Sequence, residues 1–186
     1  MDWRLGSKKI LLKTRPFAVE ELHIERVSTG EALPHPYFRL SGISWVNIFA
    51  ITEDQKAILI RQPRAGMMTQ TTEIPGGGID PGEDPIVAAA RELEEETGYR
   101  PGRLRALGEV NPNPAIMNNK LFMFLAEDCE LAKDRKLFPD ASEEIEVLTV
   151  PLSQLDAMMQ KGELHNALAN LTILMAQKYV LKTLGV

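Results

Sequence analysis

Three glutamates, Glu92, Glu95 and Glu96, fall within five consecutive residues of a segment, 84–97, that reads as a helix. At about 100° per residue their side chains lie within about 100° of arc, beside an apolar stripe of Ile86, Ala89 and Leu93. Glu94 points to roughly the opposite side, as a solvated residue should. Like charges four apart, such as Glu92 and Glu96, destabilise a helix by roughly 0.2–0.5 kcal/mol. A carboxylate cluster beside a core-facing stripe therefore asks for a counter-charge. Arg91, four residues before Glu95, supplies part of it. The remainder suits a hard divalent cation, Mg²⁺ or Mn²⁺, which prefers oxygen ligands and shares its shell with water and phosphate oxygens. Residue types and period alone leave an ordinary solvated acidic face as the alternative.

The elements that would hold these groups are marked in the sequence. Asp84 suits the N-cap, Pro85 the first helical position and Gly98 the left-handed site past the C-terminus. The stretch before the helix, 74–85, is rich in Gly and Pro and reads as neither helix nor central strand. Its free N–H groups and the positive helix N-terminus offer a place for anions. Strand patterns cover residues 10–12, 19–27, 44–51, 56–62, 103–110, 121–125 and 144–150, with a hairpin turn at 52–55. Segments 151–160 and 164–182 close the chain as helices, the second placing Leu164, Leu168, Leu171 and Met175 towards a core. Strands and helices mixed without strict alternation predict an α/β or α+β sandwich.

The 186 residues carry 44% hydrophobic and 25% charged side chains with a net charge of −5, a globular composition that argues against disorder and against a generally basic nucleic-acid binder. A single cysteine, Cys129, excludes an intrachain disulfide framework and a Cys-rich zinc site. It favours a reducing, cytoplasmic compartment. Within Glu127-Asp128-Cys129-Glu130 this thiol reads as exposed. His23, His35 and His165 lack paired metal spacing. Neither a signal peptide nor a bilayer-spanning run is visible, so the expectation is a soluble single domain without a membrane partner.

Gly77, five residues, Glu83, seven residues, then Arg91-Glu92-Leu93-Glu94-Glu95-Glu96-Thr97-Gly98-Tyr99 resembles a complete Nudix box; only Tyr99, where an aliphatic residue is usual, departs from it. The resemblance implies an α/β fold, a Nudix α/β/α sandwich with a mixed sheet between helices and an N-terminal β extension. It implies Mg²⁺-dependent cleavage, with Mn²⁺ as a substitute, of the pyrophosphate bond in a nucleoside diphosphate linked to another moiety. By motif position Glu92 and Glu96 would be metal ligands, with Glu95 supporting them or sharing a second ion. The Gly76 carbonyl would complete the set, Arg91 would hold the glutamates, and Glu83 would support the loop or a metal-bound water.

Features outside the box resemble the ADP-ribose pyrophosphatase and nucleoside diphosphate sugar hydrolase subfamily. Arg61-Gln62-Pro63-Arg64 is similar to its RQYR segment, with Pro in place of Tyr, which implies that Arg61 and Arg64 meet substrate phosphate or ribose. Glu73 matches the acidic residue before the glycine loop, which implies a place in substrate binding. Pro114 stands sixteen residues after Gly98, where the subfamily places a proline, and the neighbouring amides Asn118 and Asn119 are candidate readers of sugar hydroxyls. The loop lacks the usual small and acidic residues, which leaves GDP-mannose or ADP-glucose open beside ADP-ribose. Glu143 or Glu144, on a late loop, would be the general base, with Glu95 as the alternative. Residues 1–42 resemble the extension through which this subfamily forms homodimers, and 43–186 the hydrolase domain. The competing readings are a dinucleoside polyphosphate or RNA 5′-end pyrophosphohydrolase, and a non-catalytic nucleotide sensor, against which the intact Glu92, Glu95 and Glu96 argue. An isopentenyl isomerase would need a suitably placed reactive cysteine.

Overall fold

Alternating residues in the first 44 positions build three antiparallel strands in the order β1-β2-β3: β1 (Trp3–Lys13), β2 (Phe17–Arg26) and β3 (Tyr37–Gly42). The computed structural model describes residues 2–133 and 144–183, with side chains to residue 180. It divides into a unit of Met1–Ser44 with Val110–Lys120 and a unit of Trp45–Glu109 with Leu121–Val186. In the first unit, Glu20 is buried at 3% exposure between Lys8 at 2.9 Å and Arg39 at 2.6 Å. Hydrogen bonds from those two cations hold its carboxyl below the ordinary range against the opposing effect of burial. Segment 110–120 joins this sheet through Leu40 N–H to Ile116 O at 2.7 Å. β3 was not apparent from residue pattern, and its six residues take their strand form from pairing with β2.

The second unit is an α/β sandwich around a mixed sheet. β4 (Trp45–Thr52) and β5 (Lys56–Arg64) form the expected hairpin; β10 (Leu121–Leu131) runs parallel to β4, and β11 (Glu146–Pro151) antiparallel to β5. The path is β11-β5-β4-β10-β8, where β8 is Tyr99–Arg100; β6 (Thr69–Glu73) pairs with β5, β7 (Gly76–Gly78) with β4, and β9 (Arg103–Val110) with β10. Side chains alternate across the sheet and fill two cores. Val46, Ile48, Ala50 and Ile58 pack with Ala88, Ala89 and Leu93 of α1 (Pro85–Thr97). Phe49, Ala57 and Leu59 pack with Ala169, Ile173 and Ala176 of α3 (Ala167–Thr183), joined by Leu155 of α2 (Leu155–Gln160).

Several expectations are corrected by this packing. Ile86 is 43% exposed, and the stripe α1 presents to the core is Ala88, Ala89 and Leu93. On α3 the fully buried positions are Ala169, Thr172, Ile173 and Ala176, with Leu168, Leu171 and Met175 at their flanks, because small residues let the helix approach the sheet. Cys129 is buried, not exposed: β10 runs past residue 125, its register shifts between Ala126 and Cys129, and the irregularity turns the thiol inward. Burial pushes that thiol up to about 11. Glu94 is only partly solvated, since Arg100 Nη2 binds it at 2.6 Å. Among the described residues no helix is long and apolar enough to cross a membrane.

Candidate active site

The site begins where β4 and β5 part. Their mutual pairing is confined to Ala50–Ile58 and Ile51–Ala57; further along, β4 pairs instead with Gly76–Gly78 and β5 with Thr69–Glu73. The glycine stretch thus enters the sheet as a short strand, held by Ile48 N–H to Pro75 O at 2.9 Å, where sequence alone read a loop. Neither Gly76 nor Gly77 leaves free room for a side chain. A Cβ on Gly76 would overlap the Val46 carbonyl oxygen, and one on Gly77 would overlap the Glu92 carboxylate.

Facing this strand, α1 is fixed at both ends by its own sequence. Asp84 accepts from Ile86 N–H at 2.9 Å, Pro85 opens the helix, and Gly98 closes it at φ 74° with its N–H on Glu94 O at 2.8 Å. Arg91 uses all five of its N–H groups. Nε and Nη2 grip Glu83 at 2.9 Å each, Nη2 also reaches Gly78 O at 3.1 Å, and Nη1 bridges Glu92 at 2.8 Å and Glu95 at 3.0 Å. This fork pulls Glu83 down to about 2, aided by the Asp80 N–H and opposed by burial. Glu96 is buried and accepts the Gly76 N–H at 2.9 Å. Glu92 is largely covered, at 14% side-chain exposure, while Glu95 is open at 38%.

Gly76, Glu83, Arg91, Glu92, Glu95 and Glu96 are therefore brought together. As the side chains stand, no group of three or more His, Cys, Asp or Glu among the described residues is gathered closely enough to hold a metal ion. The donor chemistry nonetheless fits a hard cation: three carboxylates and a glycine backbone lie on one patch, with Arg91 bound to Glu92 and Glu95.

The other predicted site residues form separate groups. Arg61 reaches across to β11 and binds Glu146 at 3.1 Å. Arg64 binds Glu73 through Nε at 2.9 Å and Nη2 at 3.2 Å, and both line a cleft of about 340 Å³ with Met67, Thr71 and Asn166. Pro114 is exposed in a turn closed by Met117 N–H to Asn113 O at 2.8 Å. Asn118 donates to Ser41 Oγ at 3.1 Å, and Asn119 is buried with its Nδ2 on Ile43 O at 3.1 Å. These three belong to the first unit. Glu144 is exposed, and Glu143 lies outside the described residues. Sequence reasoning missed Asn166, whose amide meets Glu73 at 2.6 Å; the pattern placed it inside a helix over 164–182, whereas α3 starts at Ala167.

Fold and carboxylate patch together define a class. Residues 44–172 match the NUDIX domain. The chain belongs to the Nudix family, and it is a hydrolase. It is 29% identical over 165 residues to the ADP-ribose pyrophosphatase of Bacillus subtilis (strain 168), covering 87% of this chain and 88% of that protein. It is 32% identical over 120 residues to the GDP-mannose pyrophosphatase of Citrobacter koseri (strain ATCC BAA-895 / CDC 4225-83 / SGSC4696), covering 61% of this chain and 62% of that one. A crystal structure of an ADP compounds hydrolase shares the fold with a TM-score of 0.84 at 24% identity, covering 100% of this chain and 97% of the other.

Proposed function

We propose that this Nudix hydrolase cleaves the pyrophosphate bond of nucleoside diphosphate sugars, ADP-ribose, GDP-mannose or a similar compound, to a nucleoside monophosphate and a sugar phosphate, with Mg²⁺ as its cation. The observation that carries the reading is the carboxylate patch of Glu92, Glu95 and Glu96, ordered by Arg91 against the Gly76–Gly78 strand. The names of the pyrophosphatase relatives support the substrate class.

In this reading Glu92, Glu96 and the Gly76 carbonyl hold the cation, with Glu95 beside them. When bound, the cation neutralises diphosphate charge and lowers the pKa of water. The chain supplies the rest. Arg91 keeps Glu92 and Glu95 aimed; Glu83, saturated by Arg91 and the Asp80 N–H, fixes the 80–83 turn. Arg64 meets substrate phosphate from the end of β5. Glu144, or its neighbour Glu143, takes the proton from the attacking water.

We further infer a homodimer formed through residues 1–42. The support is β1, exposed along all eleven residues, with Leu5, Ile10, Leu11 and Leu12 between 45% and 55% exposed. Light scattering at micromolar concentration should give twice the chain mass; a monomer removes this point. The lone buried thiol supports a cytoplasmic location.

The test is phosphatase-coupled phosphate release with Mg²⁺ from ADP-ribose, ADP-glucose, GDP-mannose, UDP-glucose, NADH, diadenosine tetraphosphate and ATP, with Glu96→Gln as control. Turnover of nucleotide sugars, lost in the variant, is expected. Turnover of only the diadenosine compound or ATP overturns the substrate class, and nucleotide binding without turnover makes the protein a sensor.

A further inference from the structure

Asn166 stands immediately before α3 and works in two directions. Its Oδ1 caps the helix, accepting Leu168 N–H at 2.9 Å and Ala169 N–H at 3.3 Å. Its Nδ2 donates to Glu73 Oε2 at 2.6 Å, across 93 residues of sequence. A cap needs only the oxygen. Serine or aspartate would serve the helix equally, but serine has no arm to reach Glu73 and aspartate would set a second carboxylate against it. The amide at this position answers to Glu73.

Glu73 in turn has no capacity left for a ligand. It is 4% exposed; Oε1 accepts Thr71 Oγ1 at 2.6 Å and Arg64 Nε at 2.9 Å, and Oε2 accepts Asn166 and, at 3.2 Å, Arg64 Nη2. Burial disfavours its charge, but the bonds from Arg64, Thr71 and Asn166 outweigh burial and hold the carboxyl below its ordinary range. Arg64 is 46% exposed, and an exposed arginine paired to a mobile carboxylate is held weakly. Paired to a carboxylate pinned by two further donors, it has one face of its planar fork fixed in direction.

We propose that Asn166 and Glu73 are positioning residues that aim Arg64 at the substrate: Asn166 pins the Glu73 carboxylate to the start of α3, and Glu73 sets the plane of the Arg64 guanidinium. The inference rests on the reading of Arg64 as a phosphate contact and changes the role of Glu73 from substrate binding to orientation. It joins the start of α3 to the end of β5 through one side chain. Arg64 acts on a charge present in both ground and transition states, so loosening it should raise KM and spare kcat.

The experiment uses the full chain and its best substrate from the panel above. Asn166→Ser keeps a cap oxygen and removes the amide arm; Asn166→Asp keeps the cap and opposes Glu73 with charge, so at least one variant retains α3. Each is measured for kcat, KM and Tm, alone and with Arg64→Ala. The expected result is a KM raised about tenfold in Asn166→Ser and more in Asn166→Asp, the loss of one charge-assisted bond, with kcat within about twofold. In the Arg64→Ala background neither change should raise KM further. An unchanged KM in both Asn166 variants while Arg64→Ala raises it, or a fully additive effect, overturns the inference. A fall in Tm with KM unmoved does so too, since it assigns Asn166 to the fold alone. An unchanged KM in Arg64→Ala instead overturns the phosphate-contact reading and takes this inference with it. Absence of turnover across the panel in the unaltered protein refutes the proposed function itself.

Discussion

Gly77→Ala separates the fold from the chemistry. Gly77 does not need a left-handed backbone, so alanine is conformationally allowed there, and the atoms its Cβ would meet all belong to the Glu92 carboxyl group, with Oε1 at 2.6 Å. Ordinary contact begins near 3.4 Å, so the carboxylate must retreat by about 1 Å. It sits at the end of a flexible side chain and can do so cheaply, with a stability change of less than about 1 kcal/mol. A misplacement of about 1 Å in a group that positions the reacting centre costs about 10²-fold in rate. The assay is kcat/KM on the best nucleotide sugar beside a thermal melt. The expected outcome is a loss of about 10²-fold with Tm within about 3 °C. Gly76→Ala is the counter-example: its Cβ would strike the Val46 carbonyl oxygen, a backbone atom of β4 that cannot yield, so Tm should fall sharply. Wild-type kcat/KM in Gly77→Ala would refute the assignment of Glu92.

Arg91→Ala leaves Glu83, Glu92 and Glu95 facing one another without their shared cation. Such losses reach about 3–5 kcal/mol when fully buried, and Arg91 at 28% exposure should cost about 2–3 kcal/mol, lowering Tm by about 4–12 °C. Saturating Mg²⁺ should recover part of the loss, and a Tm within 1–2 °C of wild type would show the network to be idle. Glu83 has a folded-state pKa lowered from 4.5 to about 2, so its contribution to stability is complete above about pH 4.5 and is lost as pH falls towards 2. Urea unfolding in Glu83→Gln should accordingly show a weaker dependence on pH between those limits than wild type. Glu144→Gln or Glu143→Gln should lower kcat by about 10²–10⁴ with little change in KM; if neither does, Glu95 becomes the base to test. Cys129 should resist alkylation at pH 8 in the native state and react rapidly in urea, and fast native labelling would contradict its burial.

What was legible in the sequence was local. Asp84, Pro85 and Gly98 bound α1 because each satisfies backbone groups within a few residues of itself, and the spacing of Glu92, Glu95 and Glu96 follows from the helical period. Partnerships across the chain were not legible. The Gly76–Gly78 strand defies propensity, since three glycines pair with β4 only because β5 turns away towards β6. Cys129 stands among charged residues and is buried by a register shift. Glu73 resembled a substrate ligand until Arg64, nine residues before it, and Asn166, ninety-three after it, filled its oxygens. Asn119 likewise looked free to read a sugar, and the packing of Ile43 uses its amide.

The most direct test is Mn²⁺ binding to the full chain, followed by the spin-resonance signal of the free ion, for wild type, Glu92→Gln and Glu96→Gln. The account predicts that wild type binds the ion and that each substitution weakens binding by at least about tenfold, in parallel with its loss of turnover. Equal Mn²⁺ affinity in all three proteins would contradict it, because the carboxylate patch of α1 would then not be where the cation is held.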